Sequence, residues 1–174
     1  MFLWFLLIFL LCIAVDGLIG PALYGAYFNF LVITYLASCL LVFGPRKRVF
    51  IFLPFFSILY ELILGYPLGS IILPMSLIIL VLFGMDRIIS FNIFSERSGY
   101  MSFIAMPILG LALTVAILII SHYSQQFISG ESLNAFKFGN HLKDYRFYIH
   151  SYIIIAIEYF LLTRIFNIYN EERL

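Results

Sequence analysis

The sequence predicts an all-α fold, namely a polytopic membrane bundle of about six transmembrane helices. Two observations lead to this prediction. The 174-residue chain is 64% hydrophobic and only 11% charged, whereas a soluble domain carries roughly 25% charged residues to cover its surface. The hydrophobic residues also fall into six runs that approach the ~20 residues a helix needs to cross the hydrocarbon core.

The six predicted spans form a single integral membrane domain over residues 1–174. In order, they cover about residues 2–15, 22–43, 49–65, 70–91, 100–122 and 147–168. The first span is short, and apolar runs of 10–14 residues are often re-entrant or interfacial, so a segment that does not fully cross stays an alternative. Since no Lys or Arg precedes it and no Ala-x-Ala site follows, we interpret it as a retained span and not a signal peptide.

Turn-forming and polar segments separate the later spans. Gly20-Pro21 opens the second span, because proline fits the first turn of a helix. The basic segment 45–48 ends that span, and a tight turn at residues 65–69 joins the third to the fourth. A polar outer loop over residues 123–146 separates the fifth span from the sixth. It is too short to form a second domain.

The basic residues predict the orientation of the bundle. Seven fall on one side of the six-span arrangement: Arg46, Lys47, Arg48, Arg87, Arg97, Arg164 and Arg173. The outer loop holds only Lys137, Lys143 and Arg146, which Glu131 and Asp144 partly offset. Because positive residues collect on the cytoplasmic side of a membrane, both termini are predicted to be cytoplasmic.

Two carboxylates within the apolar spans are the main candidate functional residues. Glu61 lies near the outer end of the third span, and Glu158 lies near the middle of the sixth. An ionisable side chain is costly in lipid, so each is expected to face protein. Glu61 is interpreted as a packing, partner-contact or ligand group. The alternatives are a structural hydrogen bond to a neighbouring Tyr or Ser and a neutral, protonated acid. Arg164 lies six positions beyond Glu158, on another helix face, so Glu158 needs a partner on a different helix or water.

Other residues are predicted to act in packing. A cross-helix ion pair between Asp86 and Arg164 is one hypothesis, and snorkelling of the arginines to the headgroups is its alternative. Small-residue spacing predicts close helix contacts at Ala22 and Ala26 and along the pattern Gly110-x-Ala112-x-x-x-Ala116 in the fifth span. Cys12 and Cys39 lie in apolar runs outside any CxxC pair, which predicts buried, unreactive thiols.

The motifs that the sequence lacks favour a non-enzymatic protein without a cofactor. There is no Walker loop, GxSxG, HExxH or GxGxxG pattern. His122, His141 and His150 share the predicted outer side with Asp16 and Glu61, but their spacing resembles no ligand motif, so no metal site is predicted. A basic stripe suited to a phosphate backbone is also missing, which excludes nucleic acid as a predicted partner.

The stretch Leu59-Tyr-Glu-Leu-Ile-Leu-Gly-Tyr-Pro-Leu-Gly-Ser70 resembles the family of the bacterial rod shape-determining protein MreD. The resemblance covers roughly residues 18–122. The family's third span ends in Gly-x-x-x-Asp-Leu before a short loop with Pro-Leu-Gly; here Glu61 replaces the Asp, and the preceding Gly is absent. The outer loop is also longer than the family pattern.

The resemblance implies a multi-pass scaffold of the bacterial inner (cytoplasmic) membrane. Such proteins belong to the cell-elongation machinery for peptidoglycan synthesis, with an MreC-like protein, the actin-like MreB, the glycosyltransferase RodA and a transpeptidase. Glu61, Gly65, Pro67 and Gly69 would define a hairpin and its contact face, and Glu158 would act in packing.

A second interpretation stays open. MreD-like proteins resemble in fold the substrate-binding subunits of energy-coupling-factor transporters, which bind a vitamin near the outer face. Glu61, His122, His150 and the 123–146 loop would lie there. Such a pocket is usually lined by Trp, Asn, Arg and Tyr, and this chain has one tryptophan, Trp4.

Overall fold

The computed structural model of the chain describes residues 2–19, 31–43, 49–86, 99–129 and 145–171. Within these ranges the regular secondary structure is entirely helical, which confirms the all-α prediction for this part of the chain. The helices are α1 (Phe2–Ala14), which continues into a π-helical turn (Val15–Ile19), α2 (Leu31–Phe43), α3 (Val49–Leu64), α4 (Ile72–Asp86), α5 (Gly99–Ser129) and α6 (Tyr145–Glu171).

Two of these helices are long and apolar enough to cross a membrane, judged by length and composition. The qualifying segments are Ile104–Ile128 in α5 and Tyr145–Ile165 in α6. The other apolar helical segments are shorter: Trp4–Leu18, Leu31–Phe43, Ile51–Leu64 and Ile72–Gly84. The prediction of six complete spans therefore stays a prediction.

Helix boundaries differ from the predicted ones around the outer loop. Helix α5 continues to Ser129 and α6 begins at Tyr145, so residues 123–129 and 145–146 are helical. Gln125 and Gln126, which contributed to the loop prediction, are good helix formers and do not stop α5. Residues 130–144 lie outside the described residues, as do residues 22–30 of the predicted second span with Ala22 and Ala26.

Helix α2 lies at the centre of the bundle. All nine residues from Val32 to Leu40 are buried, and α2 packs against α1, α3, α5 and α6. A helix that is buried all round has to be apolar or internally satisfied on every face. This explains why α2 combines aliphatic residues with Thr34, Ser38 and Cys39.

The other helices pack around α2 in sequence order. Helix α3 packs against α4, α4 against α5, and α5 against α6. Helix α1 joins this ring through Phe9, whose ring stacks on Phe56 of α3 with centroids 4.5 Å apart. The hydroxyl of Tyr35 in α2 donates to the backbone oxygen of Phe5 at 2.9 Å, which ties α1 to the centre.

The outward faces of the ring carry large apolar side chains. Exposed examples occur on α1, α3, α4, α5 and α6: Trp4, Leu11, Ile51, Phe55, Leu77, Leu80, Ile104, Ile108, Ile153 and Ile157. Among the described side chains of α2, none is exposed. Contiguous apolar surface of this kind needs a non-aqueous or protein covering.

The close contact among α2, α5 and α6 depends on Gly110, not on Ala112. A Cβ atom at Gly110 would lie 2.6 Å from Cγ2 of Ile155 and 2.9 Å from Cδ1 of Leu41. Ala112 is exposed and Ala116 is half-buried. The small-residue spacing therefore marked the right helix, but Ala112 lies on the opposite face because a shift of two residues turns a helix by about 200°.

Replacing Gly110 with alanine is expected to destabilise the bundle by about 1 kcal/mol. Overpacking against the stiff, branched Ile155 outweighs the gain in helix propensity. Gly84 in α4 supplies the matched control, because a Cβ there would meet nothing within 4 Å; Gly84→Ala should stabilise by up to about 1 kcal/mol. Thermal unfolding of both variants in detergent measures the difference, and equal midpoints would contradict the packing assigned to Gly110.

Candidate functional site

Three acidic side chains whose carboxyl groups contact other segments of the bundle form the candidate site. Asp16 and Glu61 are fully buried, and Glu158 is half-buried. A buried carboxylate without partners is strongly destabilising, so the partners of each oxygen decide what the group does. In all three cases both carboxyl oxygens hydrogen-bond to another segment of the chain.

Glu61 caps the start of α4. Its Oε2 accepts the backbone N–H of Gly69 at 3.0 Å, and its Oε1 accepts the backbone N–H groups of Ile71 and Ile72, the latter at 2.9 Å. The first N–H groups of a helix have no partner within the helix, and its N-terminus carries a partial positive charge. Glu61, which lies on the neighbouring helix α3, supplies acceptor oxygens for these N–H groups and places its carboxyl group beside the positive end of α4.

The end of α3 places Glu61 for this role. Gly65 follows the last helical residue with φ of +70°, and the N–H of Tyr66 donates to the backbone oxygen of Glu61 at 2.9 Å. Together these features form a Schellman motif, in which a left-handed glycine stops the helix. The rings of Tyr60 and Tyr66, whose centroids are 5.7 Å apart, cover the motif.

Pro67 to Ser70 form the turn between α3 and α4. The backbone N–H of Ser70 donates to the oxygen of Pro67 at 3.1 Å, and the Ser70 hydroxyl donates to the same oxygen at 2.6 Å. Gly69 has φ of +105°, the positive value that a type II turn requires at its third residue. The predicted hairpin residues Gly65, Pro67 and Gly69 therefore shape the backbone that Glu61 caps.

Asp16 makes a second cap of the same kind. It lies in the π-helical turn after α1, and its Oδ1 and Oδ2 accept the backbone N–H groups of Leu31 and Val32 at 3.2 and 2.8 Å. Gly17 beside it approaches α3, since a Cβ there would lie 3.1 Å from Cδ2 of Leu64. The two acid-capped helix starts thus lie near one end of the bundle.

Glu158 joins α6 to the central helix. Its Oε1 lies 3.1 Å from the hydroxyl of Thr34, and its Oε2 lies 3.1 Å from the hydroxyl of Ser38. Thr34 and Ser38 are one helical turn apart on α2, so both face the same side. Glu158 therefore finds its partner on another helix, which is one of the two outcomes its spacing from Arg164 allowed.

The structure does not bring the remaining predicted residues into this site. Arg164 is exposed, and its guanidinium carbon lies 5.9 Å from the centre of the Phe160 ring. The side chain of Asp86 lies outside the described residues, so the Asp86–Arg164 pair stays a hypothesis. His150 is exposed, and His122 lies 3.2 Å from the amide nitrogen of Gln126. In the described ranges, no three His, Cys, Asp or Glu side chains are placed to hold a metal ion.

Sequence reasoning missed two residues of the site, Thr34 and Ser38, and named Asp16 only as an acid on the predicted outer side. Asp16 follows an apolar helix and precedes a glycine, which is a local signal for a helix end but not for its distant partner. The two hydroxyls lie four positions apart on a helix without charged residues, and this spacing is a usable signal for a polar contact on one helix face.

Comparison of the chain with protein-family models, with curated proteins and with solved structures found no match.

Proposed function

We propose that the chain is a multi-pass integral membrane protein that acts as a non-enzymatic scaffold of the bacterial cell-elongation machinery. One observation carries the proposal: both oxygens of every buried acid described above serve internal contacts, while large apolar side chains face outwards. This division of residues suits a rigid body that other membrane proteins pack against. In the described structure, both carboxyl oxygens of each of the three acids hydrogen-bond to the chain itself, which suits a structural role better than binding of a substrate.

The membrane location is supported by the distribution of apolar side chains. Helices with exposed Trp, Leu, Ile and Phe around a central helix that is buried from Val32 to Leu40 match a lipid-facing bundle. In lipid, helix association depends on close packing and a few interhelical hydrogen bonds. Gly110 supplies such a contact, and Glu61, Asp16 and Glu158 supply the hydrogen bonds.

The proposed partner contact lies on the hairpin between α3 and α4. Glu61 itself is buried, so it would act by fixing the hairpin and not by touching a partner. Leu68 at the tip and Leu62 on the preceding turn are both 61% exposed. By resemblance to MreD-like proteins, this face would meet an MreC-like protein or the RodA–transpeptidase synthase.

Co-purification with a C-terminally tagged chain in mild detergent tests the proposal. Recovery of an MreC-like protein or of RodA is expected, and Leu68→Ser should lower it severalfold while the chain stays folded. The matched control is Ile51→Ser near the opposite end of α3, where an equally apolar side chain is 72% exposed; it should leave recovery unchanged.

Two results would contradict the scaffold proposal. Equal recovery of partners by wild type and Leu68→Ser would remove the hairpin tip as the contact face. Recovery of a transporter core with ATPases, or of a small molecule that travels with the pure chain, would support the vitamin-binding alternative instead.

A further inference from the structure

The hydroxyl of Thr34 has more acceptors than it can serve. Its Oγ1 lies 2.8 Å from the backbone oxygen of Leu31 and 3.1 Å from Oε1 of Glu158. A threonine hydroxyl carries one proton and can therefore donate to only one of these oxygens. The backbone oxygen of Leu31 is the nearer of the two acceptors, and we take it as the recipient of that proton. A hydrogen bond between Thr34 Oγ1 and Glu158 Oε1 then requires a proton on the Glu158 carboxyl group.

We propose that Glu158 is a proton-binding site at the junction of α2 and α6 and is a neutral carboxylic acid at pH 7. The proton lies on Oε1 and is donated to Thr34 Oγ1. The Ser38 hydroxyl donates to Oε2, 3.1 Å away. In this arrangement each of the three contacts has one donor and one acceptor. The inference concerns the interior of the bundle and does not depend on the proposed scaffold role.

The surroundings of Glu158 favour the neutral form. Of the described titratable groups, Asp16 in the π-helical turn acts on Glu158, and Glu158 in turn acts on Cys12 of α1 and on Tyr35 and Cys39 of α2. All four neighbours are acids, and Arg164 on α6 itself is exposed beside Phe160. The charged neighbour that acts on Glu158 is therefore another acid, Asp16.

Asp16 and Glu158 differ in what their oxygens meet. Asp16 receives two backbone N–H groups at a helix N-terminus, where a negative charge is stabilised. Glu158 meets only hydroxyls, and a charge on it would repel that on Asp16. The two backbone N–H groups partly offset the cost of burying a charge on Asp16, whereas Glu158 has no such donors, so Glu158 is the acid better placed to hold a proton.

Loss of this proton has a structural consequence. It leaves Oε1 of Glu158 facing a hydroxyl oxygen whose proton serves Leu31, and it places a negative charge near the carboxyl group of Asp16. Both effects weaken the contact between α6 and α2. The contact between α6 and α2 therefore stabilises the folded bundle while Glu158 holds its proton. This stabilisation is lost as the pH rises and Glu158 ionises, so the bundle should be less stable at alkaline pH.

Infrared spectroscopy of the full-length chain in detergent tests the proposal. Protein labelled with ¹³C at the glutamate carboxyl should show the C=O stretch of a protonated acid at pH 7, and the band should vanish in Glu158→Gln. Glutamine mimics the neutral acid, because its NH₂ can donate to Thr34 and its oxygen can accept from Ser38. Its melting temperature should stay within ~3 °C of wild type at pH 7 and should fall less as the pH rises.

The results that overturn the proposal are distinct. The wild-type chain lacking the band at pH 7 would show that Glu158 is charged. Persistence of the band in folded Glu158→Gln would assign the proton to another glutamate. A pH series on the wild-type chain does not depend on the folding of any variant. The intensity of the band and the melting temperature should decrease together as the pH rises. A melting temperature that stays unchanged while the band is lost would also overturn the proposal.

Discussion

Replacing Glu61 with leucine is expected to destabilise the bundle by about 3–5 kcal/mol, because two buried backbone N–H groups, at about 1–3 kcal/mol each, and one part-buried N–H group lose their acceptor. The buried groups are those of Gly69 and Ile71, and the part-buried group is that of Ile72. The loss should appear as a lower unfolding midpoint in denaturant. Since the hairpin face depends on this cap, the scaffold proposal also predicts a lower recovery of the proposed MreC-like partner.

Glu61→Gln is the graded control for that prediction. The amide oxygen can still accept from Ile71 and Ile72, but its NH₂ group would face the N–H of Gly69, so we expect a smaller loss of about 1–3 kcal/mol. Glu158→Gln, the same chemical change at the other buried glutamate, should cost much less. A Glu61→Leu chain that unfolds at the wild-type midpoint would contradict the capping role.

Replacing Asp16 with leucine is expected to cost about 2–4 kcal/mol, the second-largest effect. The N–H groups of Leu31 and Val32 would lose their acceptors at the start of α2, the central helix of the bundle. Asp16→Asn retains one acceptor oxygen and should cost about 1 kcal/mol, because asparagine is also a good cap. Unfolding in denaturant at pH 7 measures both variants.

The order of the Asp16 variants tests the mechanism. If the carboxylate acts as an acceptor for N–H groups, asparagine should lie between wild type and leucine. Leucine as stable as wild type would show that burial of an apolar side chain compensates for the two N–H groups, and it would contradict the second cap.

The sequence predicted the hairpin well because its determinants are local. Three turn-forming residues lie within five positions: Gly65 and Gly69, which both have positive φ, and Pro67 between them. These residue types predict a turn from the local sequence alone, without knowledge of the tertiary structure. Glu61 was singled out for the cost of a carboxylate in an apolar run. That its partners are backbone N–H groups followed only from the geometry of the turn.

Contacts between distant segments could not be predicted in the same way. Asp16 and Val32 are 16 residues apart, and Ser38 and Glu158 are 120 residues apart. Hydrophobic patterning cannot orient helices that are apolar on most faces. The same limit explains Ala112: spacing of small residues identifies a candidate face, but the face that packs, marked by Gly110, depends on where α2 and α6 lie.

Site-resolved amide hydrogen exchange in wild type, Glu61→Gln and Asp16→Asn tests most directly whether the buried acids act as caps. We expect the amides of Gly69, Ile71, Ile72, Leu31 and Val32 to be protected in wild type. Glu61→Gln should selectively speed exchange at Gly69, and Asp16→Asn at Leu31 or Val32, while the other helix start stays protected. Unprotected amides at these positions in wild type, or protection that neither substitution changes, would show that the two acids do not cap these helices.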